Sequence, residues 1–168
     1  FAYPPRSKFF SSELEEFIVL SHKEGLDIST IRGSYAGAIG YCQFMPSSYR
    51  AYAVDHDGDA QRDLDGNVGD AIASIANYLK VHGWKKDQPV VTSAHATSEA
   101  VSLPRQSLKP KYLPAYYHNQ GYESNTSTLP SQQKVTLVEM ENDDESLSYW
   151  FGHHNFYVIT RYNHSSLY

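Results

Sequence analysis

Residues 33–52 read Gly33-Ser34-Tyr35-Ala36-Gly37-Ala38-Ile39-Gly40-Tyr41-Cys42-Gln43-Phe44-Met45-Pro46-Ser47-Ser48-Tyr49-Arg50-Ala51-Tyr52. Three glycines and two alanines fall within Gly33–Gly40. That density makes a poor isolated helix. Small residues instead let backbones approach closely or leave a groove for a ligand. Pro46 then starts a short helix through Tyr49 and Tyr52, with Ser47 or Ser48 as its candidate cap.

Immediately downstream, Asp55, Asp57, Asp59, Gln61 and Asp63 occupy alternate positions 1, 3, 5, 7 and 9 of a loop. This is the ligand spacing of an EF-hand, where position 7 donates its backbone carbonyl. A helix leads in and another leads out. Two positions depart from the pattern. Position 6, ordinarily Gly, is Ala60, and a positive φ there costs roughly 1 kcal/mol. Position 12, ordinarily a bidentate Glu, is Gly66, so the closing carboxylate must come from further on: Asp70, with Asp65 as the alternative. The ion expected is calcium, with sodium as the alternative, in a structural role. The bland reading is a solvated acidic turn with Asp70 capping the next helix. Three carboxylates this close repel one another without a cation, which favours the ion site.

Asp70 opens a helix whose apolar stripe is Ile72, Ile75, Ala76 and Leu79, and Gly83 ends it. Upstream, Ser12-Glu13-Leu14-Glu15 has the capping-box pattern. It predicts a helix over 12–24 with Leu14, Phe17, Ile18 and Ser21 on one face and Gly25 as the stop. After Trp84 the character changes. Pro89, Pro104, Pro110, Pro114 and Pro130 interrupt the chain, and Asn119–Gln133 reads as a polar loop. Val90–Thr92, Lys134–Met140 and Ser148–Phe151 read as strands, with a turn at Asn142–Glu145. Phe156–Ile159 is apolar on both faces and fits buried strand or helix equally. The organisation expected is a helical part over 1–98, a small β-rich subdomain over 99–152 and a return to the core over 153–168.

Composition narrows the function. The chain has 168 residues, 14 Lys plus Arg against 19 Asp plus Glu, and a net charge of −5. That balance argues against nucleic acid or an anionic membrane surface as partner. No apolar run is long enough to span a bilayer. The 14 tyrosines offer apolar faces with hydroxyls, suited to sugar rings but equally to a half-buried core. Cys42, the single cysteine, reads as a buried inert thiol. His56 and His153-His154 lack the spacing of a zinc site. The glycines of 33–40 are not followed by the Gly-Lys-Ser/Thr of a phosphate loop. Glycosidase chemistry needs a carboxylic acid kept protonated in an apolar cleft. Glu15 is accounted for by capping, and Glu13, Glu16 and Glu24 read as solvated. Glu99, Glu123, Glu139, Glu141 and Glu145 fall in the β-rich part.

The stretch 33–52 resembles the membrane-bound lytic murein transglycosylase B family. The likeness continues through the aspartate loop, Asp70–Tyr78 and His82-Gly83-Trp84. It returns at Asn155-Phe156-Tyr157 and Ile159–Ser165, and Tyr3-Pro4-Pro5-Arg6 and Glu13-Leu14-Glu15 also fit. It is loose over 85–149. The resemblance implies an α+β fold: a lysozyme-like helical core with an EF-hand-like loop and a small β-rich insertion. It further implies a monomeric periplasmic enzyme of a Gram-negative bacterium, acting on peptidoglycan glycan strands. Such enzymes cleave the β-1,4 bond between N-acetylmuramic acid and N-acetylglucosamine, leaving 1,6-anhydro ends. The family's catalytic glutamate lies in a Glu-Thr-x-x-Gly-type motif that these 168 residues do not contain. The chain opens at Phe1 without an initiator Met and stops at Tyr168. It therefore reads as an inactive piece of a longer protein, whose missing N-terminus carries the acid and could carry an outer-membrane anchor.

By the same resemblance Ser34 supports the catalytic carboxyl, Gln43 hydrogen-bonds the acetamido group, and Met45 lines the same wall. Tyr78, Tyr162 and Tyr168 line the cleft, with Asn163 beside them. Cys42 stands where the family usually has Gly. The expectation is a saccharide wall ahead of Pro46, braced from behind by the ion. The rivals are a non-catalytic, calcium-stabilised glycan-binding module of the cell wall and a hydrolase of the goose-type lysozyme kind.

Overall fold

The computed structural model describes residues 6–127 and 129–163, Asn163 by its backbone alone. The chain divides into two compact units, Phe1–Tyr78 and Leu79–Tyr168. The class is α+β.

The first unit holds α1 (Ser7–Glu24), α2 (Pro46–Tyr52) and most of α3 (Val68–Val81). Helix α1 starts five residues before the expected Ser12, on Arg6, whose side chain makes no cap bond. Ser12 and Glu15 lie inside the helix, so the capping-box reading is wrong. Gly25 ends α1 as expected, at φ +64°. The buried face also differs. Leu20 and Ser21 are buried, while Leu14 and Ile18 are exposed. Polar contacts set the phase: Glu13 meets Ser47, Glu16 pairs with Arg50, and Glu24 pairs with Arg62. Turning those carboxylates inward turns Leu14 and Ile18 outward.

Helix α3 repeats the pattern. Its buried residues are Asp70, Ala71, Ser74 and Tyr78, and Ile72 of the expected stripe is exposed. Ser74 Oγ accepts the Val54 N–H at 2.8 Å, and Asp70 holds the preceding loop. Its cap is Asn67, whose Oδ1 accepts the N–H groups of Gly69 and Asp70. Pro46 does begin α2, with Met45 at the N-cap position rather than Ser47 or Ser48.

The second unit is built on a four-stranded antiparallel sheet of order β2-β1-β4-β3. Its strands are β1 (Val91–Ala96), β2 (Tyr122–Ser124), β3 (Thr136–Glu141) and β4 (Leu147–Gly152). Strand β1 is an inner strand, and this moves the boundary from the expected 98/99 to 78/79. Ala94, Tyr117, Tyr122, Val135, Leu137 and Phe151 form the core of this unit. Short α4 (Pro114–His118) supplies Tyr117, 5.7 Å from the Phe151 ring. Phe156–Ile159 proves helical, within α5 (His154–Asn163), which the contacts group with the sheet. Fully buried Asn155 ties α5 to the chain before β1. It accepts the Lys85 N–H and donates to the carbonyls of Lys85 and Gln88. No helix among the described residues is long and apolar enough to cross a membrane.

Candidate functional site

The glycine-rich stretch forms a compact double turn. Ile39 makes isolated antiparallel bridges to Gly33 and to Phe44. Ser34 closes the first turn three ways. Its N–H donates to the Ala38 carbonyl, its Oγ accepts the Ala38 N–H at 3.1 Å, and its carbonyl accepts the Gly37 N–H. Gly40 has φ +64°, and a Cβ there would lie 2.4 Å from the Leu64 carbonyl oxygen. Only glycine fits, because the next N–H, that of Tyr41, donates to the same oxygen at 2.8 Å. The groove-forming stretch is thereby tied to the end of the aspartate loop by one backbone hydrogen bond.

Beyond Gly40 the side chains alternate. Tyr41 and Gln43 are exposed, while Cys42 and Phe44 are each 2% exposed. Cys42 donates its S–H to the Ala71 carbonyl, and burial pushes its pKa up to about 11, the state of an inert thiol. Gln43 sits at φ +49°, and its Nε2 donates to the Gly40 carbonyl at 3.0 Å. The amide is therefore held at the surface rather than buried.

Ser34 and Met45 line one cavity of about 340 Å³ together with Phe10, Glu13, Phe17 and Ile39. Ser34 and Gln43 share a shallower depression of about 510 Å³ with Arg32, Tyr41 and Asp65. These three of the expected site residues thus come together. Tyr78 is only 7% exposed and packs on Phe44 at 5.8 Å and Tyr52 at 4.8 Å, behind the stretch. Tyr162 is half-buried in α5 of the second unit. The Asn163 side chain and Tyr168 lie outside the described residues.

Glu13 is the residue that sequence reading missed. Far from being solvated, its carboxylate accepts the Ser47 N–H at 3.0 Å and the Ser47 Oγ–H at 2.7 Å. A signal existed. Glu13, Phe17, Leu20, Ser21 and Glu24 recur at helical spacing, a face that mixes polar and apolar residues.

In the aspartate loop, carboxylate oxygens of Asp55, Asp57 and Asp59 lie within 4.8 Å of one another. Hard oxygen donors converging in this way fit a hard cation. Asp55 also accepts the N–H groups of Gly58 and Ala60, and Asp59 accepts that of Gln61. Ala60 adopts φ +70°, the strained conformation its place in the motif implies. Asp63 and Asp70 stand apart from the three-carboxylate group. Asp63 accepts the Asp65 and Gly66 amides. Fully buried Asp70 accepts the His56 N–H on one oxygen and the Asp63 N–H on the other. Asp70 therefore ties the two ends of the loop together.

The class of protein is set by comparison. A family model, the transglycosylase SLT domain, matches residues 1–168, and the chain belongs to this family. More particularly, it is 43% identical over all 168 residues to membrane-bound lytic murein transglycosylase B of Escherichia coli strain K12, covering 45% of that protein. Among solved structures, soluble lytic transglycosylase SltB1 from Pseudomonas aeruginosa superposes with a TM-score of 0.88 at 43% identity, covering 99% of this chain and 55% of that one. Escherichia coli lytic transglycosylase Slt35 in complex with bulgecin A gives 0.87 at 42% identity, covering 99% and 51%. Slt35 has also been solved in complex with calcium, with a TM-score of 0.85. The fold is thus that of the lysozyme-like lytic transglycosylases. The chain spans about half the length of the relatives it matches.

Proposed function

We propose that this chain is the saccharide-wall portion of a peptidoglycan lytic transglycosylase. The enzyme cleaves the β-1,4 bond between N-acetylmuramic acid and N-acetylglucosamine. A single glutamic acid, in a part of the enzyme these residues do not span, protonates the glycosidic oxygen. It then takes the proton of the sugar's C6 hydroxyl as that oxygen attacks the anomeric carbon, so no water enters the product. The observation that carries the reading is the convergence of Ser34, Gln43 and Met45 on adjoining cavities in a chain of this family.

Each side chain has a role suited to its position. Ser34 Oγ supports the catalytic carboxyl. Gln43, exposed and conformationally fixed, presents its free amide oxygen to an acetamido N–H. Met45 gives the wall an apolar face, and Tyr78 stiffens it from behind through Phe44. By the family resemblance Tyr162, Asn163 and Tyr168 are further candidates for contact with the glycan. Glu13, the one carboxylate among the described residues lining the cavity that Ser34 shares with Met45, has both oxygens engaged by Ser47, which fits an acid supplied from elsewhere.

The loop holds a structural calcium, with sodium as the alternative, through Asp55, Asp57, Asp59 and the Gln61 carbonyl, while Asp63 and Asp70 serve the loop by accepting its backbone amides. The calcium complex of Slt35 supports this assignment. The protein acts as a monomer in the periplasm of a Gram-negative bacterium, with any outer-membrane anchor outside these residues. The test is made in the full-length enzyme with purified peptidoglycan. Mass spectrometry should find products one water lighter than those of hydrolysis. Gln43→Ala should lower kcat/KM about tenfold, equivalent to ~1.4 kcal/mol of lost hydrogen bonding, while leaving the protein folded. Hydrated products, or full activity in that variant, would defeat the assignment.

A further inference from the structure

The cavity beside Ser34 contains an acid whose place in the fold is specific. Glu13 lies on α1, yet both its contacts are to Ser47, at the start of α2. Met45 immediately precedes α2 with an extended backbone, φ −64° and ψ 152°, and its carbonyl accepts the Tyr49 N–H. Between Met45 and Ser47 stands only Pro46, whose ring fixes its own φ. Holding Ser47 therefore holds the backbone from which Met45 and, two residues earlier, Gln43 project. The other two carboxylate contacts of α1, Glu16 to Arg50 and Glu24 to Arg62, join long side chains that retain partial exposure. Those pairs end on flexible side chains and touch no backbone atom. The Glu13 contact is different, because it reaches a backbone N–H directly.

We infer that Glu13 is a positioning residue for the saccharide wall, fixing the Met45–Ser47 backbone so that Met45 and Gln43 meet the glycan in register. This rests on the function proposed above and deepens it. The wall grips substrate and transition state alike, so the inference concerns binding more than chemistry. The hydrogen-bond geometry supplies a discriminating variant. A glutamine at this position can accept the Ser47 N–H with its amide oxygen and donate its N–H to the Ser47 hydroxyl oxygen. Both contacts survive, and the negative charge and the capacity to act as an acid are lost.

The experiment uses the full-length enzyme and a soluble glycan tetrasaccharide of alternating N-acetylglucosamine and N-acetylmuramic acid. Glu13→Ala should raise KM about tenfold, the worth of about one hydrogen bond to a charged group, with kcat changed less than about threefold. Glu13→Gln should restore KM to within about twofold of the parent. Ser47→Ala loses the hydroxyl contact but keeps the backbone N–H one, so it should raise KM less than Glu13→Ala does, and adding Glu13→Ala to it should bring KM to the Glu13→Ala value. A loss of kcat of about a hundredfold in Glu13→Gln would make Glu13 an acid in the chemistry and overturn the inference. So would an unchanged KM in folded Glu13→Ala. If Glu13→Ala does not fold, Glu13→Asp, one methylene too short to hold Ser47, takes its place beside Glu13→Gln. A parental KM in Glu13→Asp overturns the inference, and a raised one with rescue in Glu13→Gln supports it. Gln43→Ala in the same assay separates the two levels. If it is silent, the wall itself is misassigned. If it acts while the Glu13 and Ser47 variants are silent, only the positioning role fails.

Discussion

Replacing Gly40 by alanine adds one methyl group where the fold has no room. Two costs can be separated. The left-handed backbone, φ +64°, costs an L-residue about 1–2 kcal/mol, and a less flexible unfolded chain returns about 0.4–1 of this. The second cost is steric. The new Cβ would lie 2.4 Å from the Leu64 oxygen and 2.7 Å from its carbonyl carbon. Both are backbone atoms, so a main chain must move. The Tyr41–Leu64 hydrogen bond goes with it, worth about 1 kcal/mol, and overpacking adds about 1–2. The sum is about 3 kcal/mol, or about 6–12 °C in a domain of this size. Gly37 is the internal control. Its φ is +88°, but nothing lies within 4 Å of an added Cβ, so Gly37→Ala carries the backbone cost alone, about 1–4 °C. Thermal melts of both variants by circular dichroism decide the matter. A Gly40→Ala protein melting no lower than Gly37→Ala would refute the claim that Leu64 occupies this space.

Ala60→Gly relieves the φ +70° strain and should raise the melting temperature by about 1–4 °C, after subtracting the added freedom of the unfolded chain; a lower melting point would contradict this. Calcium at about a hundredfold excess over its dissociation constant should stabilise the protein by ~2.7 kcal/mol. A chelator should reverse the effect, and Asp59→Asn, which keeps an acceptor for the Gln61 N–H, should abolish it; equal melts with and without the ion would remove the site. His153 is 2% exposed, shares a hydrogen bond with Thr92 through Nε2, and has no partner at Nδ1. Burial holds its pKa below the ordinary 6.5. Below that pH the unfolded chain takes up a proton that the folded chain refuses, so stability falls on acidification, by at most about 1.4 kcal/mol per pH unit. His153→Gln should flatten the dependence of melting temperature between pH 7 and pH 5, and parallel curves for the two proteins would exclude His153 as its source.

Much of the fold could be read from residue types. The alternating aspartates announced a loop between helices because few other arrangements use carboxylates at that interval. Pro46 marked the start of α2 through its fixed φ, and the β3–β4 hairpin showed in its β-branched and aromatic residues around Asn142–Glu145. Where reading failed, polar groups had taken over a task usually left to apolar ones. Glu13 on α1 and Asp70 and Ser74 on α3 each find buried or half-buried partners. They rotate their helices so that Leu14, Ile18 and Ile72 face outward, and an apolar stripe then points to the wrong side. Ser12-Glu13-Leu14-Glu15 imitated a helix start, while the true start among Ser7–Ser11 has weak intrinsic preference and gains its stability from packing. Strand β2 was hidden in a polar stretch because it is a three-residue edge, paired on one side only. Helix α4, five residues long, is too short to show a period.

The carbonyl of Leu64 has a thermodynamic meaning beyond its steric one. It joins the segment that carries Gln43 to the segment that carries the aspartates, so two ligands bound at opposite ends of this link would work against the same backbone. Whatever factor an ion contributed to the affinity for a sugar, the sugar would return to the ion, since a coupling free energy has a single value. Titrating calcium with and without an oligosaccharide would measure that exchange from either direction.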